Sequence, residues 1–421
     1  MTSLILNSLS TTAATISGTD FAIIGLDGML AVDGNALSST ATSTSITIMG
    51  AIASANGNAV FHNGGGVFMS ISGTVSARSD TISLLTAGSG EVYNSGTIIS
   101  SLEDGIDLRS NTESYAIFGI TNTGVINAYS DAIVLGALAH SATILNSGTL
   151  TGNTGYAIAL DVNGGTTYGT VTIQNTGVMQ GGSGALNSPF NAIDLSNTGT
   201  MIGDIRLGNS ADVVTNGGHI MGDVFLRNGT NQFDNRGGIL HGNLDSGLDA
   251  DIVDNRDGAI YGNLTLGDGN DTLDSRGGRI DGNADLGLGN DSYDGRGAFV
   301  TGTVFGGDGA DTFIGNAGAE DIFDGGSDSA RDTLDFRTQA AAVVALDGLF
   351  DTDGSAAGDT YIGFENIYGS ARGADVLRGS SAANTLLGFG GADAIDGAAG
   401  NDILRGDGGI DTLTGGLGND G

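Results

Sequence analysis

The sequence contains no cysteine, no tryptophan and no lysine, and its single proline is Pro189. The absence of cysteine excludes disulfide bonds and thiolate metal sites. All 14 basic residues are arginines, whereas 43 of the 48 acidic residues are aspartates, which gives a formal net charge of −34. This charge argues against nucleic acids and anionic membrane surfaces as partners. It favours divalent cations.

Long apolar runs and known catalytic motifs are also missing. No stretch approaches 18 consecutive apolar residues, so no membrane-spanning helix is expected. The first basic residue is Arg78, so the N-terminus lacks the charged region of a secretory signal peptide. Export is expected to use another signal, or one that lies outside this sequence. No HExxH, GxSxG or Walker pattern occurs, and the four histidines form no cluster at metal-ligand spacing.

What the sequence does contain is short runs of Ile, Val, Leu and Thr, separated by Gly, Asn and Asp, which is typical of β-strands and turns. Within residues 1–197 and just beyond, five related strand starts recur at irregular spacing: NSGTI (94–98), NTGVI (122–126), NSGTL (146–150), NTGVM (175–179) and NTGTM (197–201). Each unit buries its apolar residues only against its neighbours, as one coil of a parallel β-helix does. Residues 1–197 are therefore predicted to form an irregular parallel β-helix.

Residues 198–316 repeat more regularly, with five units of 20 residues that begin at 217, 237, 257, 277 and 297. One column is always glycine, and two columns are always apolar. Stacked coils keep such columns in register, with strands ~4.8 Å apart. The glycine column is Gly203, Gly222, Gly242, Gly262, Gly282 and Gly302, and one apolar column is Val214, Phe233, Val253, Leu273, Tyr293 and Phe313.

Residues 370–421 repeat every nine residues, and residues 317–369 form a connector without repeats. Two nine-residue units are expected to make one coil, so their acidic turns would stack alternately on two edges. The sequence stops inside the last unit, at GGLGNDG, which suggests a chain cut within a repeat or an end completed by another element. The sixth positions of the units are Asp375, Asn384, Asp393, Asp402, Asp411 and Asp420.

A repeated Asp-Gly turn has the chemistry of a calcium ligand. Calcium takes six to eight oxygens at about 2.3–2.6 Å, and glycine lets a turn direct its carbonyls towards an ion because it accepts positive φ. Solvated aspartates are the alternative interpretation. However, like charges ~5 Å apart repel by roughly 0.8 kcal/mol in water and about 3 kcal/mol at an effective dielectric of 20. A column of such pairs opposes folding unless cations lie between them.

The segments GGDGADTFI (306–314), GAAGNDILR (397–405) and GDGGIDTLT (406–414) resemble the nonapeptide of the RTX, or haemolysin-type calcium-binding, repeat family. Residues 331–370 resemble the connector between RTX blocks. The resemblance covers roughly residues 247–421. It implies calcium held between the turns of a parallel β-roll, type I secretion with an uncleaved C-terminal signal, and folding outside the cell. The fold class expected for the whole chain is all-β, a continuous right-handed parallel β-solenoid that passes into a calcium-binding RTX β-roll.

The resemblance implies which positions of the repeats bind calcium. At one of these positions Asn384 replaces the usual aspartate, so calcium binding is expected to be weaker at that edge. In the 20-residue zone the turns match the RTX pattern less well towards the N-terminus. The turn that ends at Asp251 reads GLDAD, and the turn that ends at Asn231 reads RNGTN. Calcium-filled sites are therefore expected only from Asp251 to Asp311. The predicted metal-site residues are Asp251, Gly267, Gly269, Asp271, Gly287, Gly289, Asp291, Gly307, Gly309, Asp311, Asp375, Asn384, Gly391, Asp393, Gly400, Asp402, Gly409, Asp411, Gly418 and Asp420.

Two functions from different classes remain open. The first is a non-enzymatic extracellular protein, such as a surface-layer, adhesin, matrix or filament component that assembles with further copies of itself or contacts a surface polysaccharide. The alternative is a polysaccharide lyase or epimerase, for which the best charged cluster is Glu103, Asp104, Asp107 and Arg109. That alternative rests on fold-level analogy. A pore-forming toxin is disfavoured, because no long apolar helix is predicted.

Overall fold

The computed structural model describes residues 3–17, 19–86, 88–110, 116–136, 139–160, 169–315, 321–348 and 358–421. The described residues form β-strands and turns, and none of them lies in a helix. A helical membrane span is accordingly not found in this part of the chain. The chain divides into two units, an N-terminal unit of residues Met1–Leu226 and a C-terminal unit of residues Arg227–Gly421.

The N-terminal unit is a solenoid whose coils each contribute one strand to three parallel sheets. The first sheet contains Ser3–Leu6, Thr19–Ile24, Ser43–Ile48, Gly66–Ile71, Gly90–Asn94, Ala116–Asn122, Ala139–Asn146, Val171–Asn175, Ile193–Asn197 and Val213–Asn216. The second contains Leu9–Ser10, Met29–Val32, Ala51–Ser54, Thr74–Ala77, Thr97–Ser100, Val125–Ala128, Thr149–Gly152, Val178–Gly181, Thr200–Ile202 and His219–Met221. The third contains Ala14–Ile16, Leu37–Ser39, Val60–Gly64, Ile82–Thr86, Ile106–Ser110, Ile133–Leu135, Tyr156–Leu160, Gly184–Asn187, Ile205–Arg206 and Val224–Phe225.

The core of the N-terminal unit consists of apolar columns that run from coil to coil. In the second sheet, Ile98 pairs with Ile126, which pairs with Leu150, and the column continues through Met179 and Met201. All five side chains are fully buried. Because alternate residues of a strand point to opposite faces, each short strand places one or two apolar residues in this core.

A ladder of asparagine side chains runs parallel to the apolar columns, at the corner between the first and second sheets. Each Nδ2 donates to the Oδ1 of the asparagine one coil further on, over 2.7–2.8 Å. The side-chain amide carries both a donor and an acceptor, so identical asparagines satisfy one another inside the protein. The asparagine ladder consists of Asn94, Asn122, Asn146, Asn175, Asn197 and Asn216.

The C-terminal unit is also a parallel solenoid, and its strands fall into five sheets. The first sheet contains Gln232–Asp234, Ile252–Asp254, Thr272–Asp274, Ser292–Asp294, Thr312–Ile314, Thr333–Asp335, Asn366–Tyr368, Thr385–Leu387 and Ile403–Arg405. The second contains Ile239–Leu240, Ala259–Ile260, Arg279–Ile280 and Phe299–Val300, and the third contains Leu244–Asp245, Leu264–Asp268, Ala284–Leu288, Thr303–Asp308, Ile322–Asp324 and Thr360–Ile362. The fourth contains Val343–Ala345, Val376–Arg378, Ala394–Asp396 and Thr412–Thr414, and the fifth contains Gly390–Gly391 and Gly408–Gly409.

The coils of the C-terminal unit change from three strands to two along the chain. Up to Val300 a coil visits the first, second and third sheets, whereas from Asn366 onwards the main strands alternate between the first and fourth sheets. The strands between the three-strand coils and the two-strand coils pair in register with the strands on either side. Phe313 pairs with Leu334, and Leu334 pairs with Ile367. The connector predicted for residues 317–369 thus contributes strands to the same sheets as the repeats.

The prediction of an all-β parallel solenoid is confirmed for the described residues. The 20-residue columns are also present, because Val253, Leu273, Tyr293 and Phe313 pair consecutively and are fully buried. The domain boundaries after residues 197, 316 and 369 stay predictions.

Candidate metal-binding turns

The acidic turns of the C-terminal unit lie where the chain passes from the third sheet to the first. One such turn leaves the strand Leu264–Asp268 and enters the strand Thr272–Asp274, and Asp271 closes it. Two positions further on, Leu273 is buried in the core and fixes the strand behind the turn. Since the same arrangement recurs every 20 residues, the closing aspartates form a column with one carboxylate per coil. In this zone they are Asp251, Asp271, Asp291 and Asp311, all at most 2 % exposed.

The closing aspartates form a hydrogen-bonded carboxylate ladder. The backbone N–H of Asp251 donates to Oδ1 of Asp271 over 2.7 Å, and Asp271 N–H and Asp291 N–H donate in the same way to the next coil. The N–H of Asn231 donates to Asp251 over 2.7 Å. One oxygen of each carboxylate is therefore satisfied by the protein backbone.

The second oxygen of the carboxylate is buried and accepts no hydrogen bond. This holds for Oδ2 of Asp251, Asp271, Asp291, Asp311, Asp393 and Asp402. An unsatisfied buried polar atom costs about 1–3 kcal/mol, and more when it is charged. Burial raises the pKa of Asp251 and Asp291 to about 7 and that of Asp311 to about 6. A cation beside these oxygens would replace the missing hydrogen bond and favour the charged carboxylate.

Two glycines in each good turn adopt backbone angles that other residues avoid. Gly267, Gly287 and Gly307 have φ of 105°, 103° and 104°, and two residues later Gly269, Gly289 and Gly309 have φ of 154°, 135° and 133°. A Cβ added at Gly287 would lie 1.9 Å from the carbonyl oxygen of Gly267 in the coil before. Glycine thus lets the carbonyls of stacked turns approach one another closely.

A carboxylate oxygen of the same turn and a carbonyl oxygen of the next coil converge at the glycine that precedes a turn. A Cβ added at Gly306 would lie 2.3 Å from Oδ2 of Asp311 and 2.6 Å from the carbonyl oxygen of Gly325. At Gly397 both Oδ2 of Asp402 and the carbonyl oxygen of Gly415 would lie 2.6 Å away. These oxygens suit a hard cation such as calcium. No group of three His, Asp or Glu side chains assembles into a metal site in the described ranges, so backbone carbonyls would complete the shell.

After Ser370 the acidic turns occupy two edges, because successive strands alternate between the first and fourth sheets. On one edge Asp375 N–H donates to Asp393 over 2.9 Å, and Asp393 N–H donates to Asp411 over 3.0 Å. On the other edge Asn384 N–H donates to Asp402 over 2.8 Å, and Asp402 N–H donates to Asp420 over 3.1 Å. The glycines two residues before four of these positions, Gly391, Gly400, Gly409 and Gly418, have φ of 130–151°.

Three segments match the family described as RTX calcium-binding nonapeptide repeat (4 copies): residues 302–329, 370–404 and 396–420. The chain carries RTX repeats. No curated protein matches the chain in sequence. The RTX repeats bind calcium as a family, and together with the β-solenoid they fit a calcium-binding structural protein.

The RTX geometry extends beyond the matched segments, towards the N-terminus. The turns that end at Asp271 and Asp291 have the same paired glycines and the same carboxylate ladder as the RTX turn at Asp311. The turn before Asp251 has Asp249 at φ 76° in place of the second glycine. At Asn231 the side-chain Nδ2 donates to the carbonyls of Arg227 and Ser246, over 2.9 and 3.2 Å. The Asn231 turn therefore satisfies itself without a cation.

Asn384 is the neutral member of the RTX repeats after Ser370. Its Oδ1 accepts the N–H of Ser380 over 2.8 Å, and its Nδ2 donates to the carbonyl of Glu365 over 3.2 Å. Both ends of the amide are thus used within the protein. That Asn384 weakens calcium binding at its edge stays a prediction.

The carboxylate ladder continues through the predicted connector with two residues, Asp332 and Glu365. The sequence analysis did not predict either of them. Asp311 N–H donates to Oδ1 of Asp332 over 2.8 Å, and Asp332 N–H donates to Oε2 of Glu365 over 3.0 Å. Burial raises the pKa of Asp332 to about 7 and also raises that of Glu365. A sequence signal existed for Asp332, because DTLDFR (332–337) repeats DTLDSR (271–276). The turn at Glu365 repeats no such motif.

The charged cluster proposed for a polysaccharide enzyme lies in the N-terminal unit, far along the sequence from the RTX turns. Arg109 Nε pairs with Oδ1 of Asp107 over 2.8 Å. Oε2 of Glu103 accepts the hydroxyl of Ser79, and Oδ1 of Asp104 accepts the N–H of Asp131. The cluster borders a recess on the third sheet of this unit.

Proposed function

We propose that this chain is a secreted, extracellular calcium-binding structural protein whose C-terminal unit folds when calcium binds outside the cell. The observation that carries the proposal is the set of buried carboxylate oxygens that accept no hydrogen bond, at Asp251, Asp271, Asp291, Asp311, Asp393 and Asp402. Without a cation, each buried charge of this kind opposes the folded state.

Each ion would bind between two stacked turns, which supply carboxylate and carbonyl oxygens. The carboxylate ligands proposed are Asp251, Asp271, Asp291, Asp311, Asp375, Asp393, Asp402, Asp411 and Asp420, and Asn384 marks a weaker turn. Calcium is favoured over magnesium because flexible carbonyl-rich shells suit its larger radius and variable coordination.

The extracellular location is supported by the RTX repeats, which are characteristic of substrates of type I secretion. Calcium sites of extracellular modules are tuned to about 10⁻⁴–10⁻³ M, so they stay empty at lower calcium concentrations. We therefore propose that the C-terminal unit remains unfolded before export and folds outside. We also propose a role in a surface layer, adhesin, matrix or filament, which is supported by the solenoid coils because repeat units of this kind can stack on further copies.

Circular dichroism of the full chain tests the calcium proposal. In chelator the spectrum should show a large disordered fraction, and titration with calcium to millimolar concentration should convert this fraction to β-structure. The same titration with magnesium is the control and should leave most of the disordered signal unchanged. A spectrum that is identical in chelator and in calcium would overturn the proposal.

The structural role is tested by electron microscopy of the full chain at millimolar calcium. Filaments, sheets or larger ordered assemblies are expected, and they should disperse in chelator. Particles that remain monomeric across calcium and protein concentrations would contradict a role in self-assembly, while leaving calcium-driven folding intact.

A further inference from the structure

The first sheet of the N-terminal unit carries a groove of about 440 Å³ on its outer face. The groove lies over three neighbouring parallel strands, Gly90–Asn94, Ala116–Asn122 and Ala139–Asn146. Because alternate residues of a strand point outwards, these strands present a grid of side chains to solvent. Gly119 lies at the centre of this grid, so the groove opens where a side chain is missing.

The described fold does not require glycine at position 119. Among the atoms that the structure describes, a Cβ added to Gly119 would meet only Cγ of Glu91 within 4 Å, at an ordinary van der Waals distance of 3.6 Å. The φ angle of Gly119 also lies outside the positive region that favours glycine. In the next two coils the same row holds Thr143 and Thr172. A glycine inside a strand weakens the strand, and it often marks a place where a ligand approaches closely.

Large apolar side chains border the groove and remain exposed. Tyr93 is 43 % exposed, and Ile117 is 55 % exposed. Phe68, in the coil before, packs against Tyr93 with the ring centroids 5.3 Å apart, and this contact supports the tyrosine ring beside the groove. Exposed apolar side chains that gather around one recess mark a surface that binds a ligand.

Glu91 gives the groove its charge. Its side chain is exposed, and it forms no ion pair or hydrogen bond with another described residue. The lining that the structure describes contains no basic side chain. Glu91 and Tyr93 stand two residues apart on one strand, at a spacing of about 7 Å, so a ligand group between them would contact both the carboxylate and the aromatic ring. Thr121 and Thr143 add hydroxyl groups on the opposite side.

A carboxylate beside an aromatic ring suits an organic cation, because the ion pairs with the first and is attracted by the face of the second. An anion would be repelled by Glu91 and by the net charge of −34. A metal ion would find a single carboxylate here, whereas calcium takes six to eight oxygens. The exposed apolar wall favours a cation that carries an apolar body.

We propose that the groove above Gly119 binds a small organic cation, namely a protonated or quaternary amine on an apolar stem. The stem lies over Gly119 and against Ile117, and the cationic group lies between the carboxylate of Glu91 and the ring of Tyr93. The site is independent of the RTX turns, so it stands or falls separately from calcium binding by the C-terminal unit.

Titration calorimetry of the full chain with choline and with butylamine tests the proposal. Neohexanol and butanol, which have the same shapes without the charge, are the matched probes. Millimolar calcium in the buffer competes for the other carboxylates of the chain. Both amines should bind at millimolar concentration or below, and more weakly at high salt because exposed charges are screened. The two alcohols should show no measurable binding.

Gly119→Thr is the decisive variant, because it copies the residue of the next two coils and fills the groove without removing a contact. It should abolish amine binding, whereas thermal denaturation should show a stability equal to or above that of the wild type. Glu91→Gln should weaken binding about fivefold, as expected for the loss of an exposed ion pair. The matched control is Asp194→Asn, at an exposed acid in the same row of the sheet, and it should leave the affinity unchanged.

Three outcomes would overturn the proposal. They are the absence of amine binding at millimolar concentration, equal affinities for an amine and its matching alcohol, and equal affinities of the wild type and Gly119→Thr for choline. Circular dichroism of each variant checks that the N-terminal unit remains folded, so that a loss of binding reports on the groove itself.

Discussion

Each unit contains a row of buried side chains linked by one hydrogen bond per coil. The side chains are neutral amides in the N-terminal unit and carboxylates in the C-terminal unit. In the N-terminal unit, Asn122, Asn146 and Asn175 pass a hydrogen bond from amide to amide over 2.8 Å. In the C-terminal unit, Asp271 and Asp291 also receive one bond per coil, from a backbone N–H over 2.7 Å. The difference lies in the remaining atoms, because the amide nitrogen has hydrogens to donate whereas the second carboxylate oxygen can only accept.

This difference underlies our proposal that the C-terminal unit needs an ion in order to fold, whereas the amide ladder of the N-terminal unit needs none. A neutral amide ladder closes its hydrogen bonds within the protein, so its stability depends on packing and on no solute. The carboxylate ladder leaves a row of buried oxygens that accept no hydrogen bond, and under our proposal cations supply the missing contacts. Under our proposal, a carboxylate that closes an RTX turn links the stability of its coil to the calcium concentration, whereas an amide at the same position does not.

The largest expected effect comes from removing calcium. Hydrogen exchange followed by mass spectrometry in chelator should show fast exchange over residues 251–420, while residues 94–216 remain protected. Addition of calcium should restore slow exchange in the C-terminal unit alone. Equal protection of both units in chelator would show that the carboxylate ladder needs no cation.

Asn146→Asp places a carboxylate inside the amide ladder and should destabilise the N-terminal unit by about 3 kcal/mol. The new side chain cannot donate to Asn175, a bond that spans 2.8 Å in the wild type. Chemical denaturation measures the loss, and calcium should not restore it because this coil lacks the RTX turn. Asn209→Asp, at an exposed position of the same unit, is the control and should have little effect.

Asp291→Asn makes the reverse exchange and should weaken calcium binding to the adjacent turns at least about tenfold, since a charged ligand is lost. In chelator the same variant should be more stable than the wild type, because Asn231 shows how an amide satisfies this position. Titration calorimetry and denaturation measure the two effects. The exposed Asp245→Asn should change neither.

The pH dependence should have opposite signs with and without calcium. The pKa of Asp251 and Asp291 rises to about 7 in the folded, ion-free protein, above the ordinary value of 3.8. The folded state then binds more protons than the unfolded state between about pH 4 and pH 7, so ion-free stability falls as the pH rises through this range. In calcium, stability should rise over the same range, because the ion competes with protons for the carboxylates.

Denaturation of the full chain in chelator and in calcium, at pH 5 and pH 8, measures these slopes. The triple variant Asp251→Asn, Asp291→Asn and Asp311→Asn should flatten the ion-free slope. A matched triple at the exposed Asp245, Asp268 and Asp308 should retain it. Equal slopes for the two triples would mean that general charge repulsion, rather than the ladder, sets the pH dependence.

Much of the fold could be predicted from the sequence because a solenoid repeats its environment. The column from Val253 to Phe313 appears at fixed spacing, and each member is buried in the structure. Asp332 and Glu365 were not predicted because their turns do not follow the 20-residue or nine-residue spacing of the repeats. At Glu365, moreover, a longer side chain replaces aspartate. The unsatisfied Oδ2 of Asp291 could not be predicted either, since it depends on how closely neighbouring coils enclose the carboxylate.

The asparagine ladder also makes the N-terminal unit electrically polar along its axis. In a parallel sheet, backbone N–H groups point alternately up and down the stack, and their dipoles largely cancel. Five of the six ladder amides, Asn94 to Asn197, point the same way, each with an N–H directed towards the following coil. Their moments therefore add, at a few debyes each, as peptide moments add in a helix. The C-terminal end of the ladder carries the positive pole, and cooperative polarisation strengthens the row as coils are added.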